Sequence, residues 1–126
     1  MRTAGLGLLA ALTLAPPVLA APAGPPAAFQ GWWVGLEAAC SVWADDSQVV
    51  VGAHHIRFYA GEGPITGVER HGRREIVIHV LMQSGEDDPK EAMSFSFRLS
   101  PDGRRLTEVG EDNTFDRKRC HGAPHP

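Results

Sequence analysis

"MSFSFRLSPDGRRLTEV", Met93 to Val109, decides the fold class of this chain. Met93, Phe95, Phe97 and Leu99 share one face of the run, and Ser94, Ser96 and Arg98 share the other. A period of two is that of a strand with one buried face. Asp102-Gly103 then supplies a turn, since glycine enters positive φ without a Cβ clash. Leu106 to Val109 returns as the second strand of a hairpin.

Strand signals continue on both sides. "EIVIHVLM" (Glu75 to Met82) is apolar on both faces, which predicts a strand that is central or covered on its second face. "RHGRRE" before it reads as a polar turn around Gly72. "QSGEDDPKEA" after it reads as a polar loop, with Pro89 stopping strand pairing. Upstream, Gln48 to Val51 and His55 to Tyr59 form two short runs divided near Gly52, and "GPITGVER" adds another. The tail "NTFDRKRC" alternates Phe115, Arg117 and Arg119 against Asp116, Lys118 and Cys120. If Cys120 points inward, the odd-numbered row faces water or a rim. A first strand is expected around "FQGWWVGL". Helix signal is confined to "GLEAACSVWA" (Gly35 to Ala44), one or two turns with Leu36, Cys40 and Trp43 on one side.

Six or seven short strands with turns between them predict a mainly β domain. It is a small antiparallel β-barrel or strongly curved sheet, with at most one short helix and one disulfide. The expected core draws on Trp33, Ile56, Phe58, Ile76, Ile78, Val80, Phe95, Phe97 and Leu99.

The N-terminus reads as a secretory signal peptide over residues 1–20. Met1-Arg2 is a short positive region, Leu6 to Ala15 is apolar, and "PPVLA" ends in small residues. The apolar run is too short to span a bilayer. Removing it leaves 106 residues, room for a single core. Pro- and Ala-rich residues 21–28 are expected to be a flexible lead-in, 29–120 the β-domain, and 121–126 a mobile tail. Without Arg2 the chain carries eleven Lys and Arg against fifteen Asp and Glu, a net charge of −4. That balance lacks the basic footprint of a nucleic-acid binder. Cys40 and Cys120 remain, and an even count in an exported chain predicts a disulfide between them, in the periplasm or outside the cell.

Residues with chemistry are sparse. No Gly-x-Ser-x-Gly, Cys-x-x-Cys or His-Glu-x-x-His occurs, so no catalytic nucleophile is assigned. His54 and His55 fall on opposite faces of a strand and cannot both ligate one ion unless the backbone turns there. No metal or cofactor is expected. His54 is placed at the inner end of its strand with Ile56 and Phe58, and His55 outside with Arg57 and Tyr59. His79, inside an apolar run, is expected to be partly buried, with Glu69 or Glu75 as a partner. The candidate binding residues are therefore His54, Tyr59, Glu62 and His79, with the "AGEGP" loop preferred over the histidine pair. "DRKRC" with Arg104 and Arg105 could form a local basic patch in an acidic protein.

Gly31-x-Trp33, Cys40, the "IRF" strand at Ile56 to Phe58, the Asp102-Gly103 hairpin and "RKRC" ending at Cys120 together carry a resemblance. The pattern resembles small exported bacterial proteins of unassigned function with a lipocalin-like compact β-barrel. That resemblance implies that Trp33 packs under the barrel floor. Size, export and the cysteine pair are also similar to small periplasmic inhibitors of secreted hydrolases. The expected role is a soluble binding or interaction module in the cell envelope, with no membrane span once the signal is removed. Its partner would be a protein or a small ligand. A hydrolase inhibitor, or a small enzyme using a His/carboxylate pair, is the alternative.

Overall fold

A computed structural model describes residues 3–5, 7–14, 24–41 and 46–122. Eight antiparallel strands follow one another in chain order: β1 (Gly31–Gly35), β2 (Val49–Val51), β3 (His55–Phe58), β4 (Gly61–Arg70), β5 (Glu75–Met82), β6 (Glu91–Leu99), β7 (Arg105–Val109) and β8 (Thr114–Cys120). Strand β8 pairs back onto β1 and closes the barrel. The count exceeds the six or seven expected. Even Val49–Val51, too short to stand alone, is a strand because β1 and β3 pair with it on both sides. Closure leaves no free edge for another chain to pair with.

Up-and-down connectivity sorts the turns. Residues 52–54, 71–74 and 100–104 lie at one end, with the entering segment 24–30. The connecting residues 36–41, 46–48, 59–60, 83–90 and 110–113 lie at the other. An eight-stranded barrel is just wide enough for side chains to fill it. Trp33, Ile56, Ile76, Ile78, Phe97 and Leu106 do so, each at most 2% exposed. Phe58 and Phe95, expected in the core, are only half-buried, because they stand near the second end.

Strand β5 alternates buried and half-buried positions along its whole length. Its second row, Val77, His79 and Leu81, forms part of the outer wall and is not covered by another layer. The register of β4 shifts between Ile65 and Gly67. This bulge turns both Ile65 and Val68 toward the core, which they partly fill, and sets Glu69 on the outer wall. It also explains why "GPITGVER" does not alternate. The preferred "AGEGP" loop is mostly strand: only Tyr59 and Ala60 make the turn, and β4 begins at Gly61.

The tail differs from expectation for a reason that lies in the register. Trp33 pairs with Arg119, and Trp32 pairs with Cys120. Paired residues share a face, so with Trp33 inside, Arg117 and Arg119 point inward and Cys120 points outward. Cys120 is still buried, because residues 36–41 fold over the outer wall and bring Ala38 and Cys40 onto Trp32, Val34 and Val50. The Cys40–Cys120 disulfide pins this cover across 80 residues of sequence. Beneath it, Trp32 Nε1 donates to the buried Gln48 Oε1 at 2.9 Å. Gly35–Ala38 is a hydrogen-bonded turn and not the start of a helix, and Trp43 lies outside the described residues. The one helix among the described residues is a 3-10 turn at Ala27–Phe29. Residues 24–28, expected as flexible lead-in, run into that turn, whose Phe29 is 1% exposed.

The β6–β7 turn forms as its sequence dictates. Gly103 takes a φ of +72°. Ser100 Oγ and the Arg104 N–H both donate to Asp102 Oδ1, at 2.6 and 3.0 Å. These bonds hold the Asp102 carboxyl below its ordinary pKa. Their stabilisation is in place above the ordinary carboxylate range and is lost as acid titrates the folded group.

Candidate functional site

The two ends of the barrel are built differently. The first is sealed. Phe29 and Trp33 plug it, and Trp33 Nε1 donates to Phe29 O at 3.0 Å. The Arg119 guanidinium lies 4.1 Å from the centre of a Trp33 ring. It also donates to Gln30 O at 2.8 Å, Ala28 O at 2.6 Å and Gly103 O at 3.3 Å. One side chain thus ties the entering segment to the β6–β7 turn. Its burial lowers the Arg119 pKa from the usual guanidinium value, and a guanidinium remains charged all the same. Gly31 makes room for it. A Cβ there would sit 2.8 Å from Arg119 Nη1, and the φ of +137° disfavours any other residue. Gly31-x-Trp33 is therefore one device, with the glycine admitting the cation and the tryptophan offering its face.

The second end is open. A cleft of about 300 Å³ enters the barrel there, lined by Phe58, Met82, Met93 and Phe95 with Tyr59 at its edge. Phe58 and Phe95 stack with ring centres 4.5 Å apart. At its base lies Arg117, 6% exposed. Its Nη1 donates to Glu108 Oε1 at 2.9 Å, and its Nε donates to Ser47 O at 2.6 Å. Nη2 makes no hydrogen bond among the described residues. The rim is acidic: Asp46, Glu86, Asp87, Asp88, Glu111 and Asp112 stand in the connections at this end.

The four candidate residues do not converge. His54 is exposed in the bend before β3 and does not face inward. The Gly52 N–H donates to His55 O at 2.8 Å, so the chain turns between them and alternation starts only at His55. His55 is exposed on the outer wall, as expected, with Nε2 2.8 Å from Glu62 Oε2. Tyr59, 61% exposed, stands at the edge of the mouth, and Glu62 lies near it on the outer wall, beside Gln83. His79 is not tucked inward. It sits on the convex outer wall with its side chain 40% exposed, between Glu69 (Nε2 to Oε2 3.1 Å) and Ser94 (Nδ1 to Oγ 2.7 Å). The bulge in β4 and direct pairing with β6 make that row. A Glu/His/Ser row bathed in water lacks the enclosed surroundings that position a substrate.

From the sequence Glu108 and Met93 carry no functional signal, and Arg117 reads only as part of the basic run "DRKRC". The signal for Arg117 was its place in the odd row of β8, two residues from Arg119. Reading it required the Trp33–Arg119 register.

Comparison with protein families, with curated proteins and with solved structures gives no match, so the reading of this site rests on its own chemistry.

Proposed function

We propose that this chain is an exported binding module of the cell envelope that receives an apolar group in the open end of its barrel. One observation carries the reading. Four of the five large apolar side chains that the barrel exposes (Tyr59, Met93, Val109 and Phe115) stand at that end, and the fifth, Leu36, lies on the outer wall between the two ends. Grouped exposure over a concave apolar floor marks a binding site, where scattered exposure would mean nothing. The acidic rim disfavours anions. The ligand class is a neutral or cationic apolar molecule, or an apolar side chain of a basic partner.

The disulfide supports an oxidising compartment. Leu8, Leu9, Leu12 and Leu14 are more than 90% exposed and do not pack on the barrel, as suits a segment removed on export. No helix among the described residues is long and apolar enough to cross a membrane. The barrel's outer wall carries Arg57, Glu62, Glu69, His79 and Arg98, in place of the apolar band of a lipid-facing barrel.

Titration with Nile red, a neutral apolar fluorophore, tests the proposal. Saturable binding with a blue-shifted emission is expected. Met93→Asp places a charge at the mouth on a side chain that is already 39% exposed. It is expected to abolish binding while changing folding stability by no more than about 1 kcal/mol. Unaltered binding in that variant, or none in the wild type, would refute the proposal.

A further inference from the structure

The sealed end carries a charge pattern that binding at the mouth does not use. Arg70, Arg73 and Arg74 come from the β4–β5 connection, and Arg98, Arg104 and Arg105 from around the β6–β7 turn. All six are exposed, and Lys118 stands beside Arg105 through the β7–β8 register. Three carboxylates share this end. Glu75 lies 3.9 Å from Arg98, Asp102 is held by its own turn, and Glu69 is taken by His79. Arg70, Arg73, Arg74, Arg105 and Lys118 make no ion pair among the described residues.

Two clefts flank the β6–β7 turn and share Ser100 and Pro101. One, of about 460 Å³, gathers His71, Arg73, Arg74 and Arg98. The other, of about 590 Å³, gathers Arg104, Arg105 and Lys118. The acidic connections lie at the opposite end, so an acidic protein is strongly dipolar along the barrel axis.

We infer that the sealed end is a docking surface for an anionic lipid bilayer, on which the barrel stands with its mouth facing the water. The distribution of charge selects this occupant. The cations fall into two groups on either side of the β6–β7 turn, so no single small anion meets them all. A plane of negative headgroups meets them together. The acidic end is repelled by the same plane, which sets the orientation. Leu36 is the one large apolar side chain exposed beside these cations among the described residues, at the edge of the second cleft, so the contact is chiefly electrostatic. The inference goes beyond ligand binding at the mouth and stands or falls separately from it.

Sedimentation with vesicles tests it, using purified protein with vesicles of phosphatidylcholine alone or mixed with phosphatidylglycerol. Binding is expected only to the mixed vesicles, with release as salt is raised. Arg73→Glu combined with Arg104→Glu should weaken it by about tenfold or more. Arg73→Lys with Arg104→Lys should keep it, since the interaction reads charge and not guanidinium geometry. All of these positions are exposed, and melting curves confirm that the variants fold. Absence of binding to the mixed vesicles at low salt would overturn the inference, as would undiminished binding in the glutamate variant. Full displacement by dissolved glycerol phosphate, at a phosphate concentration matching the vesicles, would also overturn it by showing a small-anion site.

Discussion

Trp33→Ala is expected to lose about 3–5 kcal/mol of folding stability, the range for removing a buried aromatic side chain. Typical domains have only about 5–15 kcal/mol in total, so the variant should be marginal near body temperature. The position makes the upper part of that range the better expectation. Trp33 is fully buried, donates to Phe29 O and lies under the Arg119 guanidinium. Its loss leaves a hole at the sealed end and strips one face from a cation already removed from water. Trp33→Phe should recover part of the packing but not the hydrogen bond. Denaturant titration of the two variants, with wild type alongside, measures the difference. Wild-type stability in Trp33→Ala would mean that the floor of the barrel is not built as described.

Loss of the Cys40–Cys120 bridge is the second large effect expected. For a closed loop of 80 residues, the chain-entropy relation gives about 4.5 kcal/mol. The structure adds a local reason. The bridge is the covalent hold on the cover over Trp32, Val34 and Val50, on the outer wall where β8 meets β1. A Cys40→Ser, Cys120→Ser variant should therefore melt much earlier, with hydrogen exchange rising first in β1 and β8. Exchange that rises first in β4 and β5 would contradict that placement. Combined with Trp33→Ala, the effects should not add, because both act on the same pair of strands.

Alternation made most of the barrel legible. "MSFSFRL", the Asp102-Gly103 turn and the two-faced "EIVIHVLM" each became what local periodicity requires. The disulfide was legible from compartment and parity. What periodicity could not supply was the side of each strand that faces in. In β8 either row could have been the inner one, since Cys120 on one side and Phe115 on the other are both apolar. Pairing of Trp33 with Arg119 settles it, and that is a contact across 86 residues of chain. Were Cys120 to point inward, Arg117 would stand outside or on a rim, and that conditional reading does not reach the base of the mouth. His54 and His79 drew notice as residue types, yet each stands in water. Their surroundings depend on a turn at Gly52 and a bulge at Ile65, which a period-two reading does not contain. The site that emerged is made of ordinary core residues, Phe58, Met82, Met93 and Phe95, which differ from the rest only in standing near an end that nothing closes.

The sidedness of the barrel, sealed at Trp33 and open at Phe58 and Phe95, is the claim on which its proposed role depends. With residues 1–20 removed, the chain holds two methionines, Met82 and Met93, and both line the mouth. Methyl-labelled methionine would give two resonances at the site and none elsewhere, with the Trp33 indole N–H as a reporter for the sealed end. On titration with Nile red, both methyl signals are expected to move together and saturate while the Trp33 resonance stays in place. Movement of the Trp33 resonance with both methyl signals unchanged would place the binding site at the wrong end and contradict the account.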